Sequence, residues 1–284
     1  MPKTIGNPFT WAFGTLRSTA GYVGAIADDV GSEVLTPPEI RTLTYDDLRQ
    51  SLRKGVEDLG AFRSDVIFIC LLYPLMGVVL VMIALQDNMI QLLFPVLSGF
   101  ALAGPVAAVG LYEMSRRREK GQPTSWLAYI DVLRSPKFGS VVILSLFHLV
   151  IFAVWIMVAN LIFKATMGPD LPRTIPIFME QVFTTPGGWT MIVVGIAVGF
   201  GFALIVLAMS VVSFPLLLDR NVGLPMAVIT SIRVARKNPG PIAVWGLIVA
   251  GSLAIGLIPA LLGLVLVMPI LGHATWHLYR RAVV

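Results

Sequence analysis

NPGPIAVWGLIVAGSLAIGLIPALLGLVLVMPILGHATWHLY, residues 238–279, contains no Asp, Glu, Lys or Arg. As one helix rising about 1.5 Å per residue it would reach roughly 60 Å, twice the ~30 Å hydrocarbon core of a bilayer. Pro259 sits near its middle, and a proline inside a helix removes a backbone donor and crowds the preceding turn. The stretch therefore reads as a tight hairpin of two membrane spans, 242–258 and 260–277.

Working outward, four more charge-free stretches of spanning length appear. One lies between Asp65 and Asp87 and one between Asp87 and Glu113, giving spans at 66–86 and 89–112. A third gives a span at 140–163. The run 181–218 is overlong, but Pro186, Gly187 and Gly188 read as a turn, so its span is placed at 189–215. The expected fold is an all-α polytopic membrane protein with six transmembrane helices arranged as three hairpins. Composition agrees: 56% of residues are hydrophobic, only 13% are charged and the mean hydropathy is +0.83, far too little polar surface for a water-exposed globule.

The cations orient this map. Seven Lys and Arg precede the first span, six follow the second, four follow the fourth and two end the chain, so nineteen of twenty-one share one side. Only Lys164 and Arg173 fall on the other. Loops rich in positive charge stay in the cytoplasm, so both termini are expected there, in a bacterial inner membrane. A missing or invented span would switch the later loops and destroy the bias. The net charge of +5 is accounted for by a face beside anionic lipid headgroups and calls for no nucleic acid.

Each hairpin is preceded by a segment of helical periodicity. In the first, Tyr45, Leu48, Leu52, Val56 and Leu59 form an apolar face, with Arg49 and Arg53 among the other positions. Thr44 and Asp47 have capping-box spacing. In the second, Thr124 precedes Trp126, Ile130 and Leu133. In the third, Val228, Ile229, Ile232 and Ala235 oppose Thr230, Arg233 and Lys237, and Asn238-Pro239-Gly240-Pro241 ends the helix. The segments 105–116, 209–220 and 269–280 each run eleven steps from the end of an even-numbered span to an Arg. Together these features suggest a threefold repeat of one amphipathic helix and two spans. The amphipathic helices have two possible placements, in the headgroup layer or packed under the bundle as a collar.

Residues 1–40 form a distinct amino-terminal arm, with a surface-lying helix, a partner-binding arm and a partly ordered tail all open; the six-span domain occupies 41–284. No cleavable signal peptide is expected, because the first apolar stretch of spanning length begins at Val66. Cys70 is the only cysteine and reads as a small apolar filler. Between the third and fourth spans, the apolar run 175–179 suggests a short interfacial helix.

Polar groups within spans are costly and therefore candidates for function. They are His148 and Asn160 in the third span, with His273 and His277 near the end of the sixth; Glu113 and Asp219 stand at interfaces. No Asp, Glu, Lys or Arg occupies a span centre, which argues against an ion-coupled transporter. The lipid-headgroup or partner face comprises Arg49, Arg53, Arg116, Arg117, Arg118, Arg220, Arg233, Arg236, Lys237 and Arg280. Gly99 and Gly104 in the second span, and Gly195, Gly199 and Gly201 in the fourth, favour close helix contact over a wide pore.

Several motifs resemble an uncharacterised bacterial family, domain of unknown function 2189. They are Thr44-Tyr45-Asp46-Asp47-Leu48, Phe94-Pro95-Val96-Leu97 with Gly104-Pro105, Gly110-Leu111-Tyr112-Glu113, Phe214-Pro215-Leu216-Leu217-Leu218-Asp219-Arg220, and the run from Pro269 through His273-Ala274-Thr275-Trp276-His277 to Arg280. The resemblance covers 41–281 and implies an inner-membrane protein without an established activity. Members are sometimes labelled as resembling the main subunit of cytochrome oxidase, but that haem-copper chemistry needs six His ligands and this chain has three. No cofactor or metal is expected.

The functional expectation is a non-catalytic accessory, assembly or scaffold subunit of a larger membrane complex, such as a respiratory one, with the lipid bilayer and other membrane subunits as partners. The alternative is binding or transport of a small solute or lipid. A membrane enzyme would need convergent acid, base or nucleophile groups, for which only Glu113, Asp219, His273 and His277 qualify; no enzymatic activity is expected.

Overall fold

The computed structural model describes residues 37–61, 70–86, 89–124, 131–132, 135, 137–170 and 174–284. The arm at 1–36, the first residues of the first expected span and most of the second amphipathic segment lie outside them. Among the described residues every regular element is helical.

α1 (Tyr45–Ala61) begins at the expected capping box. The Thr44 N–H donates to Asp47 Oδ2 at 2.8 Å and the Asp47 N–H to Thr44 Oγ1 at 3.2 Å, satisfying two donors that a helix start leaves orphaned. α2 is Leu72–Gln86. The next expected span, 89–112, is not one helix: a 3₁₀ turn (Ile90–Leu92) leads into α3 (Leu93–Ala107), and the chain then offsets at Ala108 into α4 (Val109–Glu119). Pro105 lies within the last turn of α3, where its missing N–H weakens continuation.

α5 (Phe138–Met167) is followed by α6 (Ile175–Thr184), the short helix suggested by the apolar run. Pro186, Gly187 and Gly188 are not a turn before a span. They are the first turn of α7 (Pro186–Ser210), where Thr185 accepts from the Gly188 N–H at 3.0 Å and Pro186 occupies a position whose N–H would be unpaired anyway. α7 offsets at Val211–Val212 into α8 (Ser213–Asp219). α9 (Leu224–Lys237) and α10 (Pro239–Leu257) meet at Asn238, as the Asn-Pro-Gly-Pro sequence requires. The opening stretch is broken around Pro259: α11 (Leu264–Ala282) follows a turn in which Ala260 and Leu261 adopt φ of 49° and 70°.

Three of these stretches are long and apolar enough to cross a membrane: α5, α7 continued through α8 (Pro186–Asp219), and α10. Leu72–Ile83 and Ile90–Gly99 are shorter apolar stretches. Their surfaces are inverted relative to a soluble protein. Leu75, Met76, Phe147, Val150, Val193, Ile196, Phe200, Leu247 and Ile255 are all exposed, forming an apolar belt of the kind that contacts lipid.

A second layer caps this belt. α4 buries every residue from Val109 to Ser115, and α11 buries Gly272, His273, Ala274, Trp276, Leu278 and Tyr279. α1 lies along this half of α11, while α8 and α9 pack beside α4 and α7. α1 and α9 therefore form a collar with α4, α8 and the second half of α11. The buried faces of α1 and α9 differ from the apolar stripes read in the sequence. α1 buries Leu48, Ser51, Gly55 and Asp58 while Tyr45 and Val56 are exposed; α9 buries Ala227, Thr230, Ser231 and Val234 while Ile229 is exposed. Small side chains let the helices approach closely, and Asp58 and Ser231 find partners across the contact. The Ser231 hydroxyl, for instance, accepts from the Val212 N–H at 3.3 Å.

Candidate functional site

The collar is held by two polar nodes. In the first, Asp58 of α1 faces Ser115 and Arg118 of α4 and His277 of α11. Ser115 Oγ donates to Asp58 Oδ2 at 2.5 Å, His277 Nε2 lies 2.9 Å from the same oxygen, and Arg118 pairs with Oδ1. A serine has one proton to give. Because Ser115 gives it to Asp58, its oxygen accepts from His273 Nδ1 at 2.8 Å, which assigns the His273 proton to Nδ1. Burial alone would push the Asp58 carboxyl up, but hydrogen bonds from His277 and Ser115, with the adjacent imidazoles, outweigh it and hold its pKa below the ordinary value.

The second node is Asp219 at the end of α8. Tyr279 Oη donates to it at 2.9 Å, and Arg116, Arg280 and Lys120 lie at 3.4, 3.4 and 3.5 Å. Arg116 also pairs with Glu113 at 3.0 Å, as does Arg117 at 2.9 Å. Glu119 joins Trp276 Nε1 and Arg280 Nε, each at 3.0 Å. The ends of the three eleven-step segments, at Arg116, Asp219-Arg220 and Arg280, thus converge on one carboxylate.

The structure sorts the candidate residues into groups. Glu113 and Asp219 are joined through Arg116; His273 and His277 are joined through Asp58 and Ser115. His148 and Asn160 share no site, being twelve residues apart on α5, about 18 Å along the helix. His148 Nδ1 bonds its own helix at Leu144 O, 2.8 Å away, and its ring meets Phe214 edge-on at 5.3 Å. The expected headgroup cations divide as well. Arg116, Arg117, Arg118 and Arg280 serve the nodes, Arg220 donates to Val284 O, Lys237 donates to Ile40 O and Arg53 pairs with Glu57. Arg49, Arg233 and Arg236 are exposed and make no ion pair or hydrogen bond among the described residues.

Residues 93–219 match the family described as predicted integral membrane proteins, DUF2189. The DUF2189 match runs from the start of α3 to Asp219, narrower than the 41–281 over which the motifs show their resemblance. It includes Glu113, Ser115, His148 and Asp219 and leaves Asp58, His273 and His277 outside. No curated protein and no solved structure gives a significant match to the chain. Its description agrees with the long apolar helices and the exposed belt: this is a membrane protein.

Sequence reasoning missed Asp58 and Ser115, and therefore the first node. A signal was present. Ser51, Gly55 and Asp58 recur at helical spacing and form a small, polar stripe suited to close helix contact. Chemically, Ser115 and His273 have the atoms of a nucleophile and base, but the Ser115 proton is directed to Asp58 and both side chains are buried. The arrangement ties helices together.

A cleft of about 280 Å³ does open elsewhere, between the collar-side parts of α3, α7, α10 and α11. Its walls include Pro105, Ala203, Leu207, Trp245, Ala250 and Leu271. The Ser210 and Thr275 hydroxyls at its collar end bond carbonyls of their own helices, at 2.6 and 2.7 Å.

Proposed function

We propose that this chain is a non-catalytic scaffold or accessory subunit of a larger inner-membrane complex, crossing the bilayer six times with both termini and the collar in the cytoplasm. The observation that carries the reading is the use made of the acid, base and nucleophile groups. Asp219, Asp58, Ser115, His273 and His277 tie one helix to another, Glu113 braces Arg116 and Arg117 within α4, and none of them lines the cleft. Such ties make a rigid body, and a rigid body suits a part that positions other subunits.

The distribution of positive charge supports the orientation. Lys137, at the start of α5, bonds Leu218 O in the collar, whereas Phe163 near the other end of that helix packs on Phe178 of α6 at 6.2 Å. Lys164 therefore stands at the end opposite the collar, where α6 lies, while the cations of α1, α4, α9 and α11 gather in or beside the collar. Six crossings require α2, α3 and α11 to span as well, in addition to the three long apolar stretches.

Purification of the tagged full chain from native membranes tests the proposal. The expected result is co-purification of defined membrane subunits, whose complex is lost or reduced when the chain is deleted. A lone species, with its neighbours' complexes intact after deletion, would overturn it.

A further inference from the structure

We propose that the cleft between α3, α7, α10 and α11 holds one acyl chain of an anionic phospholipid from the leaflet beside the collar, with the lipid phosphate met by Arg233 and Arg236. This goes beyond a scaffold role by giving the bundle a specific lipid.

The dimensions select the occupant. The lining runs from Phe200 to Val211 on α7 and from Ala243 to Leu253 on α10, which at 1.5 Å per residue is about 15 Å, half of the ~30 Å hydrocarbon core. That is the depth of one leaflet. The mouth lies in the apolar belt, since Phe200, Leu204 and Leu247 line the cleft and are exposed; what meets it is lipid.

The chemistry of the walls agrees. Among the lining residues only Tyr112, Trp245, Ser210 and Thr275 carry polar side-chain atoms, and both small hydroxyls are already bonded to carbonyls within their own helices. A polar solute entering here would leave its hydration shell without replacement, whereas a hydrocarbon chain would not.

Charge places the headgroup. The cleft ends toward the collar at Ser210, Val211 and Ala243. α9 packs there, its Ser231 bonded to the Val212 N–H, and passes through Asn238 into α10. Its exposed cations at 233 and 236 carry no acidic partner among the described residues, unlike the arginines of α4 and α11. Two exposed guanidinium groups without an acidic partner, on the helix that leads into the cleft wall α10, favour an anionic phosphate.

The test uses the full chain in nanodiscs containing phosphatidylcholine and phosphatidylglycerol, released into the gas phase for native mass spectrometry. The wild type is expected to retain one phosphatidylglycerol in preference to phosphatidylcholine. Ala250→Trp and Ala203→Phe each enlarge an exposed lining residue and fill the cleft without replacing a core side chain; retention should fall about tenfold or more. Arg233→Gln with Arg236→Gln should keep a bound lipid but lose the preference for the anionic one. A wild type that retains no lipid, as when another helix or a second copy fills the cleft, would overturn the proposal. So would filled variants that retain as much as the wild type, or a preference unchanged by removing both arginines. The arginine variant lies on the surface and keeps the test decisive if a filled variant fails to fold.

Discussion

Gly55 of α1 lies against the backbone of α11 so closely that a Cβ added there would sit 2.6 Å from the Ile270 carbonyl oxygen and 2.8 Å from Ala274 Cβ. The two helices meet here with no room for a side chain. This explains how Asp58, one turn further along, reaches Ser115 on α4 and His277 on α11 together.

Gly55→Ala should therefore destabilise the protein by about 1 to 3 kcal/mol, because backbone cannot swing aside as a side chain can. Gly60→Ala on the same helix meets nothing within 4 Å and should be neutral or stabilising, given the better helix propensity of alanine. Thermal melts of both variants in detergent check the pair; equal destabilisation would contradict the close approach.

Asp58→Ala should cost on the order of 3 kcal/mol, since it strands Ser115, His277 and Arg118 around a lost buried anion. Glu57→Ala, one residue earlier, removes only an exposed pair with Arg53 and should cost under about 1 kcal/mol. The same melts separate them, and similar values would remove the first node from the account of stability.

The collar should weaken in acid through Asp58. Its folded pKa lies below the ordinary value, so its contribution is fully present above the unfolded value of about 4 and fades as pH falls through the folded one. Melting temperature followed from about pH 6 to pH 3 should drop at the acid end, and Asp58→Asn should flatten that part of the profile. A profile unchanged by the substitution would assign the acid loss to other carboxylates.

Ala260→Gly should stabilise the turn between α10 and α11. Ala260 is exposed and sits at φ 49°, a conformation costing a non-glycine residue about 1 kcal/mol, from which glycine's greater unfolded freedom subtracts part. A gain of a few tenths of a kcal/mol is expected in equilibrium unfolding; a loss would show that the turn tolerates the side chain without strain.

Topology is open to a cysteine test. In a Cys70→Ala background, Glu180→Cys in α6 should react with a membrane-impermeant thiol reagent added to intact cells, and Lys54→Cys in α1 only after lysis. The reverse pattern would invert the proposed orientation and with it the collar's place in the cytoplasm.

Much was legible in the chain alone, where a local rule was sufficient. The capping box at Thr44 and Asp47 starts α1 because its bonds lie within four residues. Asn238 and the prolines after it separate α9 from α10, and the chain reverses around Pro259, where a missing donor and a fixed φ weaken the helix locally, although Pro269 lies inside α11 without ending it. The exclusion of a water-exposed globule follows from composition. What the chain did not reveal is which face of each collar helix is buried. Ser51, Gly55 and Asp58 are buried and Val56 is not, because the partner surface of α11 offers a close-fitting backbone and two imidazoles rather than an apolar groove. Likewise Ser115 and Asp58, 57 residues apart, become one node only when α4 turns aside at Ala108. Periodicity records what a helix could bury; the shape and hydrogen-bonding groups of its neighbours decide what it does bury.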